Sequence, residues 1–409
     1  MEVNIPEIRL EGFTEPWQHR KLHEIFDIGT GYTPSKSNPA YWEDGTVPWI
    51  RMEDIRKNGR ILSDSIQHVT PAAVKNKLIP AYSILISTTA TIGEHALIIA
   101  DSLANQQFTF ITINVNCLKG INPYFVFFVC YKLADWCRAN TNSGGLLAVD
   151  MDGFRNWKFS FPCMEEQDKI SKFLMGLYNS IEFNKKKLDG LKQLKKGYLQ
   201  QMFPQTGETM PRVRFNGFTE PWEICKLGDV IERVKGNDGR MDLPTLTISA
   251  GSGWLDQRDR FSANIAGKEQ ENYTLLSKGE LSYNKGNSKL AKYGVVFELR
   301  THEEALVPRV YHSFRETEKS NSSFLEYMFA TKSTDVELSK LITSSARMDG
   351  LLNIGYEAFT GISICIPKKP EQIVIGDFFQ NLDNQITTQT QKVQELKQLK
   401  AAYLQKMLV

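Results

Sequence analysis

The side chains best suited to hold an anion or a base edge lie in Gly-, Ser- and Asn-rich stretches rather than in a catalytic constellation. Residues 29–36 read GTGYTPSK, a loop that can present backbone N–H groups and the Lys36 ammonium to phosphate oxygens. Arg51 follows an apolar run, with Glu53 and Asp54 behind it. A guanidinium can take a guanine edge by two hydrogen bonds. The run Ser87, Thr88, Thr89, Ala90, Thr91 and the triplet Asn105, Gln106, Gln107 supply hydroxyls and amides, which suit phosphate oxygens and adenine edges. Farther along, YNKGNSK offers Asn284, Lys285, Asn287, Ser288 and Lys289, and Arg309 and Tyr311 follow. The candidate contacts are therefore Lys36, Arg51, Asp54, Ser87, Thr88, Thr89, Asn105 and Gln106 in one region. In the other they are the five loop residues with Arg309 and Tyr311.

Enzymatic readings find less support. GTGYTPSK lacks the GK[ST] order of a nucleotide-binding loop. NPAY at Asn38 to Tyr41 is one residue from an amino-methyltransferase signature, but Ala40 interrupts it and no Gly-rich cofactor loop precedes it, so it reads as a turn. His19 and His23 are four apart and can share a helix face, yet no further His or Cys clusters with them. Six histidines without a triad pattern or HExxH argue against an autonomous hydrolase, and no metal site is expected. The six cysteines form no CxxC pair and read as reduced thiols of a cytoplasmic protein. Trp42, Trp49 and Trp254 read as packing residues. The opening MEVNIPEIRLEGF has no basic region followed by an apolar core, and no run of about 18 apolar residues suggests a membrane span.

What positions the candidate residues is an internal repeat. Residues 162–204 return as 367–409 at an offset of 205, pairing Gln167 with Gln372, Phe173 with Phe378 and the LKQLK blocks at Leu191 and Leu396. The same offset carries GFTEPW from Gly12–Trp17 to Gly217–Trp222. Each long segment predicts one helix with an apolar seam stepping by three and four, as in a coiled coil. The seam runs through Ile170, Leu174, Leu177, Ile181, Asn184, Leu188, Leu191 and Tyr198, and through Ile375, Phe379, Leu382, Ile386, Gln389, Val393, Leu396 and Tyr403. Antiparallel pairing would bring the polar positions Asn184 and Gln389 together near the middle.

Net charge is only +2, and the two helical segments, with eight Lys against five acids and six against four, leave the remainder at −3. An anion-binding surface elsewhere must be local. The expected architecture is mixed α/β. Its parts are a lead-in (1–27), a head with a twisted mixed sheet (28–161), a spacer helix (162–204), a second lead-in (205–232), a second head (233–366) and a second spacer helix (367–409). Strands are expected at Val47–Ile50, Ser83–Ser87, Phe108–Val115, Trp157–Phe161, Leu243–Leu246, Gly294–Leu299, Val307–Tyr311 and Ile362–Ile366. Buried helices are expected at Asn122–Thr141 and Ser323–Lys332. Identity between the heads fades in their middles and returns at Gly145–Leu147 and Gly350–Leu352. Two frames of one design with different contents suit a reader of two different short sequences.

The repeated GFTEPW lead-ins, the EQ…I helices ending in LKQLK…YLQ, and the two divergent blocks resemble a type I restriction-modification specificity subunit over essentially the whole chain. That resemblance implies a non-catalytic DNA-binding adaptor whose two target-recognition domains read a bipartite asymmetric site. It implies an antiparallel helix pair docking two adenine-methyltransferase subunits, which use S-adenosylmethionine. Two translocase/nuclease subunits using ATP and Mg would join for cleavage. No cofactor is expected on this chain itself. The competing reading is a coiled-coil scaffold with two protein-binding heads and no DNA contact.

Overall fold

The structure, a computed structural model, describes residues 5–75, 77–142, 147–261, 267–286, 288–342 and 352–409. The returning identities at Gly145, Leu146, Gly350 and Leu351 lie outside the described residues. The chain forms two compact units, residues 1–186 with 390–409 and residues 187–389. Both divisions fall inside the spacer helices, so the sequence boundaries at 162 and 367 mark where helices begin rather than where packed bodies end.

In the first unit, β-branched and aromatic runs pair into a five-stranded sheet, in the order Phe26–Thr30, Phe108–Ile113, Ile84–Ser87, His95–Ile98, Ile61–Leu62. The last pairing is parallel and the others antiparallel. Ile84 and Ile86 face one core with helix α1 (Pro123–Ala139), while Leu85 faces a second core with Ile50, Met52 and Ile55. Covered on both sides, Ile84–Ser87 can be apolar throughout rather than alternating. Helix α1 starts where Asn122 accepts hydrogen bonds from the Tyr124 and Phe125 N–H groups, with Pro123 at the first helical position. A smaller sheet joins Val47–Ile50 to His68–Val69 and Leu103–Ala104.

A four-stranded antiparallel sheet in the second unit runs Ile231–Val234, His312–Glu316, Leu281–Asn284, Val295–Glu298. Two expected strands move. The run Val307–Tyr311 is a turn between Glu304–Val307 and His312–Glu316, because Pro308 closes it by accepting the Tyr311 N–H. The strand expected at Leu243–Leu246 forms at Leu246–Ser249, since Pro244 has no N–H to give a ladder. His19 lies on strand Gln18–Lys21 and His23 on the short helix after it, so they share no helix face. The remaining expected strands and both buried helices form within two or three residues of their expected ends.

The spacers are α2 (Met164–Gln201) and α4 (Lys369–Met407), each roughly 57 Å long at 1.5 Å per residue. Each head grips its own spacer by the same contacts. Arg9 donates through Nε and Nη2 to the Glu166 carboxylate at 2.8 and 2.7 Å. Arg214 does so to Glu371 at 2.7 and 2.8 Å. Gln167 Nε2 donates to the Pro162 and Gly120 carbonyls while its Oε1 accepts the Asn122 N–H, and Gln372 repeats this with Pro367, Lys319 and Asn321. Trp17 meets Phe125 edge-on at 5.6 Å, as Trp222 meets Phe324 at 5.6 Å. The turns that deliver both tryptophans need positive φ at Gly12 (+93°) and Gly217 (+95°).

Within the first unit, Phe173 packs on Tyr403 at 4.8 Å, and Tyr178, farther along α2, lies by Lys400, earlier on α4. These two segments therefore run antiparallel. In the second unit Tyr198 packs on Phe378 at 5.1 Å and Lys195 bonds Asp383 at 2.6 Å, again antiparallel. Seam residues Ile170, Leu174, Ile181, Asn184, Leu188, Ile375, Phe379, Leu382, Gln389 and Val393 are buried, and Leu177, Leu191, Tyr198, Ile386, Leu396 and Tyr403 half-buried.

Lys195 and Lys400, the polar seam positions that the repeat pairs at the offset of 205, have different surroundings. Lys195 is matched by Asp383, whereas the residue at the corresponding place by Lys400 is Tyr178. Lys400 donates to the Tyr131 hydroxyl at 2.7 Å and lies 4.3 Å from that ring. Burial, then repulsion from Arg60 and Lys185, depresses Lys400 to about 8 against a smaller pull from Glu182. A lysine whose folded pKa falls below its unfolded value makes the unfolded chain bind more protons between the two values, so stability rises with pH there. The first unit should therefore gain stability from about pH 8 toward 10. Comparing urea unfolding of the unaltered chain and Lys400→Met across that range checks this: the variant should lose the rise, and parallel curves would refute it.

Candidate nucleic-acid interface

Strand ends gather the polar loops of the first head. Parallel pairing of Val47–Ile50 with Leu103–Ala104 makes the two chains emerge together, and the Asn105 N–H donates to the Ile50 carbonyl at 3.0 Å. This places Arg51 beside Asn105. The loop after Phe26–Thr30 joins them through Gly31 N–H to Phe108 O (2.9 Å) and Tyr32 N–H to Ala104 O (2.8 Å). Only glycine permits that approach, since a Cβ on Gly31 would sit 2.4 Å from two carbonyl oxygens. The hydroxyl-rich loop arrives through Thr88 N–H to Gln107 O at 3.1 Å. Thr33 donates to the Gln106 amide oxygen and closes the set.

Within this cluster Lys36 and Gln106 are exposed and Arg51, Thr89 and Asn105 half-buried. The Arg51 guanidinium lies 5.5 Å over the Trp49 ring and 3.5 Å from Glu53, which is itself held by Lys57 at 2.7 Å. Its Nε is buried with no hydrogen-bond partner among the described residues. A stacked, incompletely satisfied guanidinium at a loop mouth is pre-organised to donate to an incoming acceptor.

Four nominated residues turn inward. Asp54 is fully buried, its carboxylate accepting the Arg51 and Ile66 N–H groups at 2.6 Å each. Ser87 is fully buried and donates to Thr89 O, and Thr88 shares a 2.9 Å hydrogen bond with Thr109. In the second head Tyr311 is buried, its hydroxyl 3.0 Å from Thr247 Oγ1 and accepting the Ile248 N–H. These four hold loops in place rather than reach outward.

The second head repeats the gathering at equivalent strand ends. Tyr283 pairs with His312, so the loop after Asn284 and the turn carrying exposed Arg309 lie at one edge. Asn284 Nδ2 donates to Ile248 O at 3.2 Å, Lys285 reaches Ile354 O at 3.4 Å, and Ser288 Oγ accepts the Ala291 N–H. Lys289 is exposed, and Asn287 lies outside the described residues. Arg260 was not nominated, yet its Nη1 donates to the same Ile248 carbonyl at 3.2 Å. The run DQRDR was its only signal in the sequence. Arg56, near Thr91 on a cavity of about 520 Å³, was also missed.

Trp42 meets Trp49 edge-on at 5.0 Å, and Trp254 donates to Glu298 O, which makes them packing residues. NPAY forms a single 3-10 turn capped by Asn38. His95 is fully enclosed, and burial, then the nearby Arg60, holds it unprotonated down to about 3. No group of three or more potential metal ligands occurs among the described residues. No helix among them is long and apolar enough to cross a membrane.

Residues 14–193 match the type I restriction modification DNA specificity domain. That match covers the first head and most of its spacer. Over those residues the chain is similar to type I restriction-modification specificity subunits. It is 44% identical over 169 residues to the EcoprrI specificity subunit of Escherichia coli, covering 41% of this chain and 42% of that one. It is 22% identical over 302 residues to the MjaVIII specificity subunit of Methanocaldococcus jannaschii, covering 69% and 68%. The alignments span less than two thirds of the first relatives, from about two fifths to a little over half of their length. In fold, the crystal structure of the type I restriction-modification S subunit from M. genitalium superposes with a TM-score of 0.63 at 12% identity, covering 99% of both chains. The loops gathered in the first head lie within the matched residues, and the mixed sheets and long helices share the fold of that S subunit.

Burial separates the residues that shape these loops from those free to contact a ligand. Asp54→Ala, which removes the buried acceptor of two backbone N–H groups, should cost about 1–3 kcal/mol of first-unit stability. Arg51→Ala should cost less than about 1 kcal/mol. Denaturant midpoints of the two variants decide, and equal losses would refute the distinction.

Proposed function

We propose that this chain is the sequence-specific DNA-recognition subunit of a type I restriction-modification complex, each head reading one half of a bipartite, asymmetric target. The carrying observation is the contrast within the repeat. The Arg–Glu and Gln contacts that join each head to the start of its spacer are repeated, while the loops at equivalent strand ends carry different side chains. A protein-binding scaffold would have no need of two unlike polar loop sets on one conserved frame.

In this reading Arg51 takes a guanine edge, and Asn105, Gln106 and Asn284 pair with base edges. Lys36, Lys289 and Arg309 neutralise phosphates, and Thr89 and Ser288 add hydroxyl donors. Lys285 serves the same surface while tied to Ile354. The chain does no chemistry itself: two adenine-methyltransferase subunits, using S-adenosylmethionine, dock on the spacer helices. Two restriction subunits, using ATP and Mg, join them for cleavage. All of this takes place in the cytoplasm.

Co-expression with a cognate methyltransferase subunit and mapping of methylated adenines across the host genome should return one bipartite motif. Arg51→Ala should relax a single position of one half-site, with discrimination there falling by about 1–3 kcal/mol. Methylation at scattered sites, or none beyond the methyltransferase alone, would refute the assignment.

A further inference from the structure

The two units differ at the far end of the helix that each head packs on its spacer. The capping residues Asn122 and Asn321 correspond, which sets Tyr131 of α1 against Ala330 of α3 (Ser322–Ala330). Helix α1 continues to Ala139, and it fills the space beside the spacer with Tyr131, which accepts from Lys400, and Lys132, which donates to Leu408 O. Helix α3 stops at Ala330, and Lys332 turns the chain through the left-handed region at φ +63°. The early stop leaves a cavity of about 710 Å³ in the second unit, bordered by Lys192, Lys195, Lys196, Thr206 and Lys332.

This cavity is electropositive and incompletely matched. Its one lining carboxylate, Asp383, is already engaged by Lys195 at 2.6 Å and by the Tyr327 hydroxyl at 2.8 Å. Neither Lys192 nor Lys196 has an ion-pair partner among the described residues. The repeat counterpart of Lys196 is Ala401, so the excess charge is particular to this half. Lys332 Nζ donates to Leu290 O at 3.2 Å, which ties the cavity's rim to the loop bearing Ser288 and Lys289. Unmatched ammoniums around a concavity favour an oxyanion, and continuity with that loop favours one that already lies along the head.

We propose that this lysine cavity binds backbone phosphate of the DNA duplex adjoining the second half-site, extending the contact from the head onto the spacer. The proposal rests on the DNA-recognition reading above. It gives the second half of the chain a phosphate contact on its spacer, where the first unit sets Tyr131 and Tyr178 beside Lys400.

The test is binding of the full chain to a mixed-sequence duplex over a series of salt concentrations. Each phosphate contact contributes about 0.9 to the slope of log affinity against log salt. Lys192→Gln with Lys196→Gln should lower that slope by roughly 1–2, and Lys192→Arg with Lys196→Arg should preserve it. An unchanged slope in the Gln pair, with a fall in Lys289→Gln/Arg309→Gln, overturns the cavity contact and leaves the head contact standing. Salt-independent binding by the unaltered chain overturns both. Thermal stabilisation by ATP or pyrophosphate that the Gln pair loses, with its DNA slope unchanged, assigns the cavity to a free phosphate compound and also overturns the proposal. These lysines lie on a spacer surface, so unfolding midpoints of the variants should match the unaltered chain.

Discussion

A carboxylate in the first turn of each spacer helix, gripped along both edges by an arginine from the lead-in, is the contact on which the architecture hangs. Glu166 and Glu371 are almost wholly buried, and a buried carboxylate without a partner would be strongly destabilising. The planar guanidiniums of Arg9 and Arg214 match both oxygens, and the positive end of the helix dipole adds a smaller favourable field. The neighbouring glutamines join the same helix turn to the capping loop of the helix each head packs against it. Lead-in, head and spacer are thereby locked at one point, and the lock is made twice from the same residues.

A rigid frame of this kind allows the loops at its strand ends to vary without altering the fold. In the first head the close approach at Gly31 and the Asn105–Ile50 hydrogen bond hold three loops together, whatever side chains those loops carry outward. Backbone groups hidden in such tight loops still need partners, and nearby polar side chains supply them. That is why Asp54, Ser87 and Tyr311, which look in sequence like ligand contacts, point inward. The residues left exposed or half-exposed, Lys36, Arg51, Gln106, Lys289 and Arg309, present cationic and amide groups.

Copies of one seam residue also part company according to what surrounds them. Lys195 keeps a carboxylate partner, while Lys400 lies among tyrosines that shield it from water and offer only a hydroxyl and ring faces. Divergence in the heads has thus reached the spacers, through the lengths of the helices packed against them.

Periodicity and repetition in the sequence were sufficient for the mixed α/β class, both spacers, both buried helices and most strands, because those follow from local patterns of apolar residues. Burial of Ile170, Leu174, Phe379 and Leu382 follows from the same helical spacing. Tertiary structure alone decided the rest. Pro308 moved a strand boundary, the packed units cut through the spacers rather than at their ends, and the Arg9–Glu166 pair joins residues 157 apart. It also sorted the polar residues, sending Asp54 inward and bringing Arg260 beside Asn284. Which way a polar side chain turns depends on backbone groups brought beside it by distant pairings, and no local pattern carries that information.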